Sequence, residues 1–207
     1  MSPRLVHLLA LVLLATGLAG CARNPPNASP VEVARRAVAP EGPASVTLVT
    51  VRDVRSDGGA HAALIVRGSQ SVIYDPAGSF RHPDVPEIDD VLFGVTPMIE
   101  RVYVDYHVRP TYYMDLQERQ VSRAKADEII ALARVRGRAL QATCATKTSG
   151  ILREAGFDVG RTWFPERLMR DFGALPGVET RRVDMQNVDT NHNVVFGKDG
   201  VPLPPGA

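Results

Sequence analysis

Three closely spaced runs of alternating apolar and polar residues, of which SVTLVTVRDV is the first, constrain the fold of this chain most strongly. Alternation with a period of two is typical of strands that bury one face. The second and third runs, AHAALIVRG and SVIYD, are separated by the turn Gly68-Ser69-Gln70. A glycine-containing connection of three residues is typical of a β-hairpin. If the hairpin closes through this turn, Arg67 pairs with Ser71, and the chain is built on an antiparallel sheet.

The second half of the chain is predicted to be mainly helical. Ser122 precedes an apolar pattern of helical period, and another helix is expected to begin near Cys144, with Thr143 as its N-cap and Gly156 as its C-cap glycine. A fourth strand is predicted in TYYMDLQE, a short helix in PERLMRDF and a last strand in GVETRRVDM. The segment MIERVYVDYH fits a short helix, with Thr96 as its N-cap and Pro97 at its first position, or a strand. Strands followed by helices predict an α+β fold in which a small antiparallel sheet packs against the helix that begins at Cys144.

The first 21 residues have the layout of a secretory signal. Arg4 supplies the positive charge, the run from Leu5 to Leu14 is apolar, and small residues lead to Cys21. The apolar run has about ten residues, whereas a membrane span needs roughly 20. The sequence therefore predicts a removable signal and not a transmembrane helix.

The end of this signal, Leu18-Ala19-Gly20-Cys21, resembles the lipobox of bacterial lipoproteins. The resemblance implies cleavage before Cys21 and lipidation of its thiol, and several acyl chains together anchor a protein stably to a membrane. Since Ala22 gives no signal for retention in the inner membrane, the outer membrane of a bacterial cell envelope, facing the periplasm, is the expected location. The alternative is an ordinary signal peptide with an incidental cysteine.

The composition on either side of the predicted domain suggests flexible ends. Residues 21–44 contain five prolines and little apolar periodicity, which predicts a lipid-anchored linker, and the stretch 191–207 is expected to be a loose tail. The folded domain is then 45–190. Lys and Arg outnumber Asp and Glu by only 24 to 23, so the charge gives no argument for binding nucleic acid. Nothing in the sequence calls for a cofactor.

The cysteine count points to an unpaired thiol. The chain has two cysteines, so lipidation of Cys21 leaves Cys144 without a partner in the mature chain. Exported proteins use cysteine mostly for disulfides, so a remaining thiol is a candidate nucleophile. The first turn of a helix lowers the pKa of a thiol there and offers N–H groups to an oxyanion. The alternative is a small buried side chain that only packs.

Histidine is the natural base for such a thiol. His61 begins an apolar strand and is expected at the rim of a cleft, because a buried histidine without partners is costly. His107 is the rival, with a structural role in a polar network as its alternative. His82 lies in a proline-flanked loop. No spacing of zinc-site type occurs, so no metal site is predicted.

An early strand that begins with His61 in HAALIV and a later helix that begins with Cys144 in TCATKTSGILREAGF resemble the circularly permuted papain-like enzymes. This group includes cell-wall amidase/peptidase lipoproteins and lecithin:retinol acyltransferase relatives, and the resemblance covers about residues 58–157. It implies a thiolate at Cys144 and a general base at His61. Many relatives have asparagine before the cysteine, where this chain has Thr143.

A third polar residue would orient the imidazole in such a site. With Arg67 paired to Ser71, Asp75 falls on the same face of the hairpin as His61, although Asp-Pro-Ala-Gly is also an ordinary turn sequence. The resulting hypothesis is an envelope-anchored thiol hydrolase or acyltransferase that acts on an amide, ester or thioester, in peptidoglycan or in an acylated substrate. The alternative is a binding or scaffolding lipoprotein on the same fold.

Overall fold

The computed structural model describes residues 26–188 and two short strands further on, Val195–Phe196 and Pro202–Leu203. Cys21 and the predicted signal peptide lie outside the described residues, as does His192. Among the described helices, none has the length and the apolar character that crossing a membrane requires.

Five of the described strands follow one another between the first two described helices, and three helices follow one another after the sixth strand. The strands are β1 (Ser45–Asp53), β2 (Gly59–Arg67), β3 (Ser71–Tyr74), β4 (Glu87–Ile88), β5 (Val91–Phe93), β6 (Tyr112–Gln120), β7 (Val178–Val183), β8 (Val195–Phe196) and β9 (Pro202–Leu203). The helices are α1 (Pro30–Arg36), α2 (Pro97–His107), α3 (Arg123–Val135), α4 (Cys144–Glu154) and α5 (Pro165–Gly173).

Seven strands form one sheet in the order β4-β5-β3-β2-β1-β6-β7, and all neighbouring strands are antiparallel. Arg67 pairs with Ser71 across the turn between β2 and β3, as predicted. The described part of the fold is therefore α+β with an antiparallel sheet. The sheet is larger than expected, because β4 and β5 are too short to show alternation in the sequence.

Both faces of the sheet are covered. On one face, residues such as Ala62 and Leu64 pack against α3, α4 and α5 in a first core. On the other face, Ala63 and Ile65 pack against α2 and the segment after β3 in a second core. Successive residues of β2 thus alternate between the two cores, as the pleat of a strand requires. His61 has the same parity as Ala63 and so belongs to the face that α2 covers.

The predicted helix boundaries follow from local chemistry. The side chain of Thr96 accepts a hydrogen bond from the Ile99 amide at the start of α2, and Ser122 does the same for Lys125 in α3. Gly156 follows α4 with a φ of 84°, a conformation that glycine adopts without steric cost. These caps are short-range features, so the sequence alone was sufficient to find them.

The prediction of a flexible linker over 21–44 needs correction for its second half. Ser29 caps α1 and Pro30 occupies its first turn. Around the helix, the Ala28 amide donates to the Glu87 carbonyl and the Ser71 amide donates to the Val38 carbonyl. This segment therefore lies against the edge of the sheet, and capping and hydrogen bonding override its proline-rich composition. Within the predicted tail, β8 and β9 pair as a small separate sheet.

Candidate active site

His61 lies near the beginning of β2, where the strand approaches the start of α5. A Cβ atom placed on Gly59 would lie 2.7 Å from both the Glu166 nitrogen and the Pro165 Cβ. Only a glycine fits that contact, because real Cβ atoms essentially never come closer than 3.0 Å to such neighbours. The close packing of strand on helix fixes the backbone two residues before His61.

Asp75 directly follows β3 and begins a tight turn. The Gly78 amide donates to the Asp75 carbonyl, and Ala77 has a φ of 59°. Proline at the second position and a positive φ at the third are typical of a type II turn. The turn sequence Asp-Pro-Ala-Gly is thus an ordinary turn and also the support of the Asp75 carboxylate.

The Asp75 carboxylate contacts two side chains through the same oxygen. His61 Nε2 lies 2.7 Å from Asp75 Oδ1, and the buried Tyr103 hydroxyl donates to Oδ1 at 2.9 Å. The other oxygen, Oδ2, is buried and has no hydrogen-bond partner among the described residues. Because Nε2 of His61 faces the carboxylate, Nδ1 is the ring nitrogen left for a further partner.

Cys144 is the first residue of α4, and its thiol lies within hydrogen-bonding reach of the His61 ring. The amides of Ala62 and Ala145 also donate to the sulfur. Helix α4 is held on β2 nearby, where the Thr148 hydroxyl donates to the Ala62 carbonyl at 3.4 Å. The thiol therefore comes from α4 on one face of the sheet, and the imidazole comes from the other face. They meet near the beginning of β2.

The environment of the thiol favours its ionised form. Burial by itself raises the pKa of Cys144, but the hydrogen bond and the charge of His61, together with the two amides, outweigh burial and bring the pKa below its ordinary value of 9.0. Such a thiol becomes a nucleophilic thiolate at a lower pH than a free cysteine does.

The pKa values of the two partners move in the complementary directions. Burial alone would lower the pKa of His61, but Asp75 and Cys144 overcome this effect and raise the pKa to about 10. Burial alone would raise the pKa of Asp75, yet the hydrogen bond and charge of His61 lower it to about 2. These directions favour a thiolate, an imidazolium and a carboxylate in series.

The N-cap of α4 is the predicted residue, but it lacks the hydrogen bond that a capping side chain usually makes. Thr143 occupies the N-cap position, but its side chain makes no capping hydrogen bond. Its hydroxyl donates to the Leu140 carbonyl at 2.7 Å instead, because the backbone of Thr143 is not extended as a capping residue usually is. The first amides of α4 are consequently left without a side-chain cap, next to the thiol.

His107, the rival histidine, lies beside His61. One of its ring nitrogens is within 4.8 Å of an Asp75 carboxylate oxygen. The two rings are parallel, with centroids 6.0 Å apart. His107 Nδ1 donates to the Tyr103 carbonyl at 2.8 Å. Burial lowers the pKa of His107 to about 4, which keeps its ring neutral. The histidine that lowers the pKa of the Cys144 thiol is His61, which makes His61 the candidate partner of the thiol.

Two further features hold the site in shape. The buried Asp90 accepts hydrogen bonds through Oδ2 from the Ala77 amide at 3.1 Å and from the Ala139 amide at 2.7 Å. This carboxylate ties the Asp75 turn to the loop that precedes Cys144. In that loop Ala142 has a φ of 62°. Left-handed backbone at an alanine costs about 1–2 kcal/mol, and such strain clusters at functional sites.

Access to the site is narrow. Only 8% of the Cys144 surface is exposed, so a reacting group must reach the sulfur through a small opening. On the His61 side of the site lies a cavity of about 260 Å³, which is also lined by Gly78, Ser79, Tyr106 and His107 but not by Cys144. The cavity is large enough for a small group but not for a folded partner.

The sequence predicted that Cys144, His61 and Asp75 form one site, and in the structure these three side chains lie next to one another. It missed Tyr103, although Tyr103 precedes His107 by four residues on a predicted helix, a spacing that places both on one face. It also missed Asp90, for which the sequence has no signal. The remaining histidine candidate, His82, accepts a hydrogen bond from the Asp84 amide in its own loop.

The comparisons with known proteins give no family for this chain: no family model matches it, and neither does a curated protein or a solved structure.

Proposed function

We propose that this protein is a thiol hydrolase or acyltransferase in which Cys144 is the nucleophile, His61 the general acid and base, and Asp75 the residue that orients His61. The observation that carries the proposal is the series formed by the Cys144 thiol, the His61 ring that lowers the pKa of this thiol, and the Asp75 carboxylate 2.7 Å from His61 Nε2. A nucleophile, a base and an orienting group in contact are the parts that covalent acyl transfer needs.

The reaction follows from the protonation states of the three groups. The Cys144 thiolate attacks the carbonyl carbon of an amide, ester or thioester, and a carbon–sulfur bond forms. The His61 imidazolium gives its proton to the leaving amine, alcohol or thiol as the bond to that group breaks. Water or another acceptor then attacks the acyl-enzyme, His61 takes the proton of that acceptor, and the thiolate is regenerated.

The start of α4 supplies the charge stabilisation for this reaction. The first amides of a helix have no intrahelical acceptor and carry a partial positive charge. Since Thr143 turns its hydroxyl away, the Cys144 amide is free of a side-chain cap and holds the oxyanion that forms on the substrate carbonyl.

The order of the elements supports a permuted papain-like fold as part of the same proposal. The strand with His61 precedes the helix with Cys144, and that helix packs on the sheet that contains the strand. In a bacterial envelope the stem peptides of peptidoglycan are the nearest amides, and acylated proteins or membrane lipids are the other substrates that fit this chemistry.

An activated ester tests the proposal directly. With p-nitrophenyl acetate as the probe, we expect a rapid release of about one p-nitrophenolate per chain and acetylation of the peptide that contains Cys144, detected by mass spectrometry. Cys144→Ser should lose both signals. The absence of an acyl adduct on folded wild-type protein, over the pH range in which the thiol can be alkylated, would leave the binding or scaffolding role as the better description.

We further propose that Cys21 is lipidated and anchors the domain to the bacterial envelope, on the strength of the sequence Leu18-Ala19-Gly20-Cys21. On expression in a bacterial host, the wild-type chain should fractionate with membranes and incorporate labelled palmitate, because several acyl chains give stable anchoring. Cys21→Ser should appear in the soluble fraction without label. A Cys21→Ser variant that remains with the membranes would contradict the proposal.

A further inference from the structure

The buried Asp75 and the partly buried His61 and His107 form a cluster that the proposed reaction does not fully use. One ligand atom from each of the three residues lies within 4.8 Å of the other two. The sequence gives no indication of this cluster, because the three residues are separated by 14 and 32 positions and none is close to another along the chain. Only the fold brings them together.

The cluster has unused coordinating capacity. Asp75 Oδ2 is buried and lacks a hydrogen-bond partner among the described residues, and buried polar atoms in that state call for an explanation, such as an ion. His107 gives its Nδ1 hydrogen to the Tyr103 carbonyl, which leaves the lone pair of Nε2 available. A histidine that ligates a metal usually donates its other ring N–H to a carbonyl or carboxylate in this way.

We propose that His61, Asp75 and His107 bind a divalent transition-metal ion of the zinc class, and that this ion inhibits the thiol chemistry. Two imidazoles and a carboxylate are a ligand set that zinc accepts, with water in the fourth position. Bonds of about 2 Å place the ligands of a tetrahedral ion about 3.3 Å apart. Small side-chain shifts from the present separations are therefore sufficient.

The inhibition follows because His61 belongs both to the proposed metal site and to the proposed catalytic site, so this part of the inference rests on the proposed function. When His61 coordinates an ion, its imidazolium proton is released to solvent, and its hydrogen bond to Asp75 is replaced by the metal bond. Coordinated His61 can then neither give a proton to the leaving group nor take one from the acceptor, so the acyl-transfer cycle stops. Cys144 itself is not among the ligands of the cluster, so inhibition acts through the imidazole.

Binding of Zn²⁺ alone to the purified full chain, measured by equilibrium dialysis, tests the site. We expect one high-affinity ion per chain and at least about tenfold weaker binding in His107→Gln. The matched control, His82→Gln, should bind as the wild type does, because His82 lies in a separate loop. Equal affinity in wild type and His107→Gln overturns the metal site.

A spectroscopic measurement on the wild type keeps the test independent of how well His107→Gln folds. Co²⁺ in the site should give the visible bands of a tetrahedral ion without a thiolate-to-metal charge-transfer band. A strong charge-transfer band that Cys144→Ser removes would show that the thiol holds the ion, and would overturn the ligand set proposed here.

The reactivity of Cys144 with and without Zn²⁺ separates this inference from the proposed function. Zn²⁺ should slow the turnover of p-nitrophenyl acetate at least about tenfold, and a chelator should restore the rate. If the metal-free thiol is unreactive near neutral pH while Zn²⁺ still binds through His107, the proposed function fails and the metal site stands. If the metal-free thiol is reactive but Zn²⁺ neither binds nor slows it, the metal site fails alone.

Discussion

His61→Gln is expected to slow the alkylation of Cys144 at least about tenfold at pH 6. A thiol with its ordinary pKa of 9.0 is only about 0.1% ionised at pH 6, and the thiolate is the reactive form. In the wild type, the hydrogen bond and charge of His61 lower the pKa of Cys144, so the thiolate is present at lower pH. Without them, burial remains and raises that pKa.

The sign of this effect is visible in the pH profile. In the wild type, the midpoint of the rise in the iodoacetamide rate should lie below pH 9.0, the ordinary pKa of a thiol, whereas in His61→Gln the midpoint should move to or above pH 9.0. The two rates should therefore converge as the pH increases towards about 10. Mass spectrometry of the peptide containing Cys144 follows this thiol separately from Cys21.

His82→Gln is the matched control, since it removes an imidazole from a loop outside the site and should leave the profile unchanged. Identical profiles for the wild type and His61→Gln would mean that the imidazole does not ionise the thiol. In that case Cys144 is a packing residue, and the proposed chemistry has no base.

Gly78→Ala is expected to disable the site although none of its three reacting residues is substituted. A Cβ atom on Gly78 would lie closer than 3.0 Å to the Asp75 carboxyl carbon and to both its oxygens. The carboxylate must then move away from His61 Nε2, which weakens the hydrogen bond that favours the imidazolium. We expect alkylation at pH 6 to fall at least about tenfold, with about 1–3 kcal/mol lost from the free energy of unfolding through overpacking.

Gly150→Ala supplies a matched control within α4. The nearest atom to a Cβ at Gly150 would be Arg136 Nη1 at 3.4 Å, an ordinary contact. Alanine is favoured over glycine inside a helix by up to about 1 kcal/mol, so this variant should be as stable as the wild type or more so, with the same alkylation rate. The two glycine substitutions thus have opposite expected effects on stability.

A double variant determines whether Gly78 acts through the Asp75–His61 hydrogen bond. If it does, Gly78→Ala combined with His61→Gln should react no more slowly than His61→Gln alone, because the two changes remove one interaction. Additive losses would show that Gly78→Ala damages the thiol by another route. A Gly78→Ala variant with the wild-type rate would show that the position of the Asp75 carboxylate does not govern the thiol.

The local parts of this fold could be predicted from the sequence because they depend on neighbours along the chain. The register of Arg67 with Ser71 follows from the three-residue turn, and the caps at Thr96 and Ser122 follow from one side chain and the next amides. The same register placed Asp75 on the face of His61, which is how the hairpin predicted their contact. Thr143 occupies the N-cap position as predicted, but its side chain does not cap α4, because the preceding loop gives the residue a non-extended backbone.

The sequence by itself determined an antiparallel hairpin, a helix that begins at Cys144 and a shortlist of histidines, since strand alternation, turns and caps are short-range effects. Only the tertiary structure decided which histidine meets the thiol, because that depends on how α4 packs on β2 and how α2 lies across the other face. It also decided the roles of Tyr103 and Asp90, whose hydrogen bonds join segments 28 and 49 residues apart. Contacts over such separations are selected by the packing of two cores, and no local pattern encodes them.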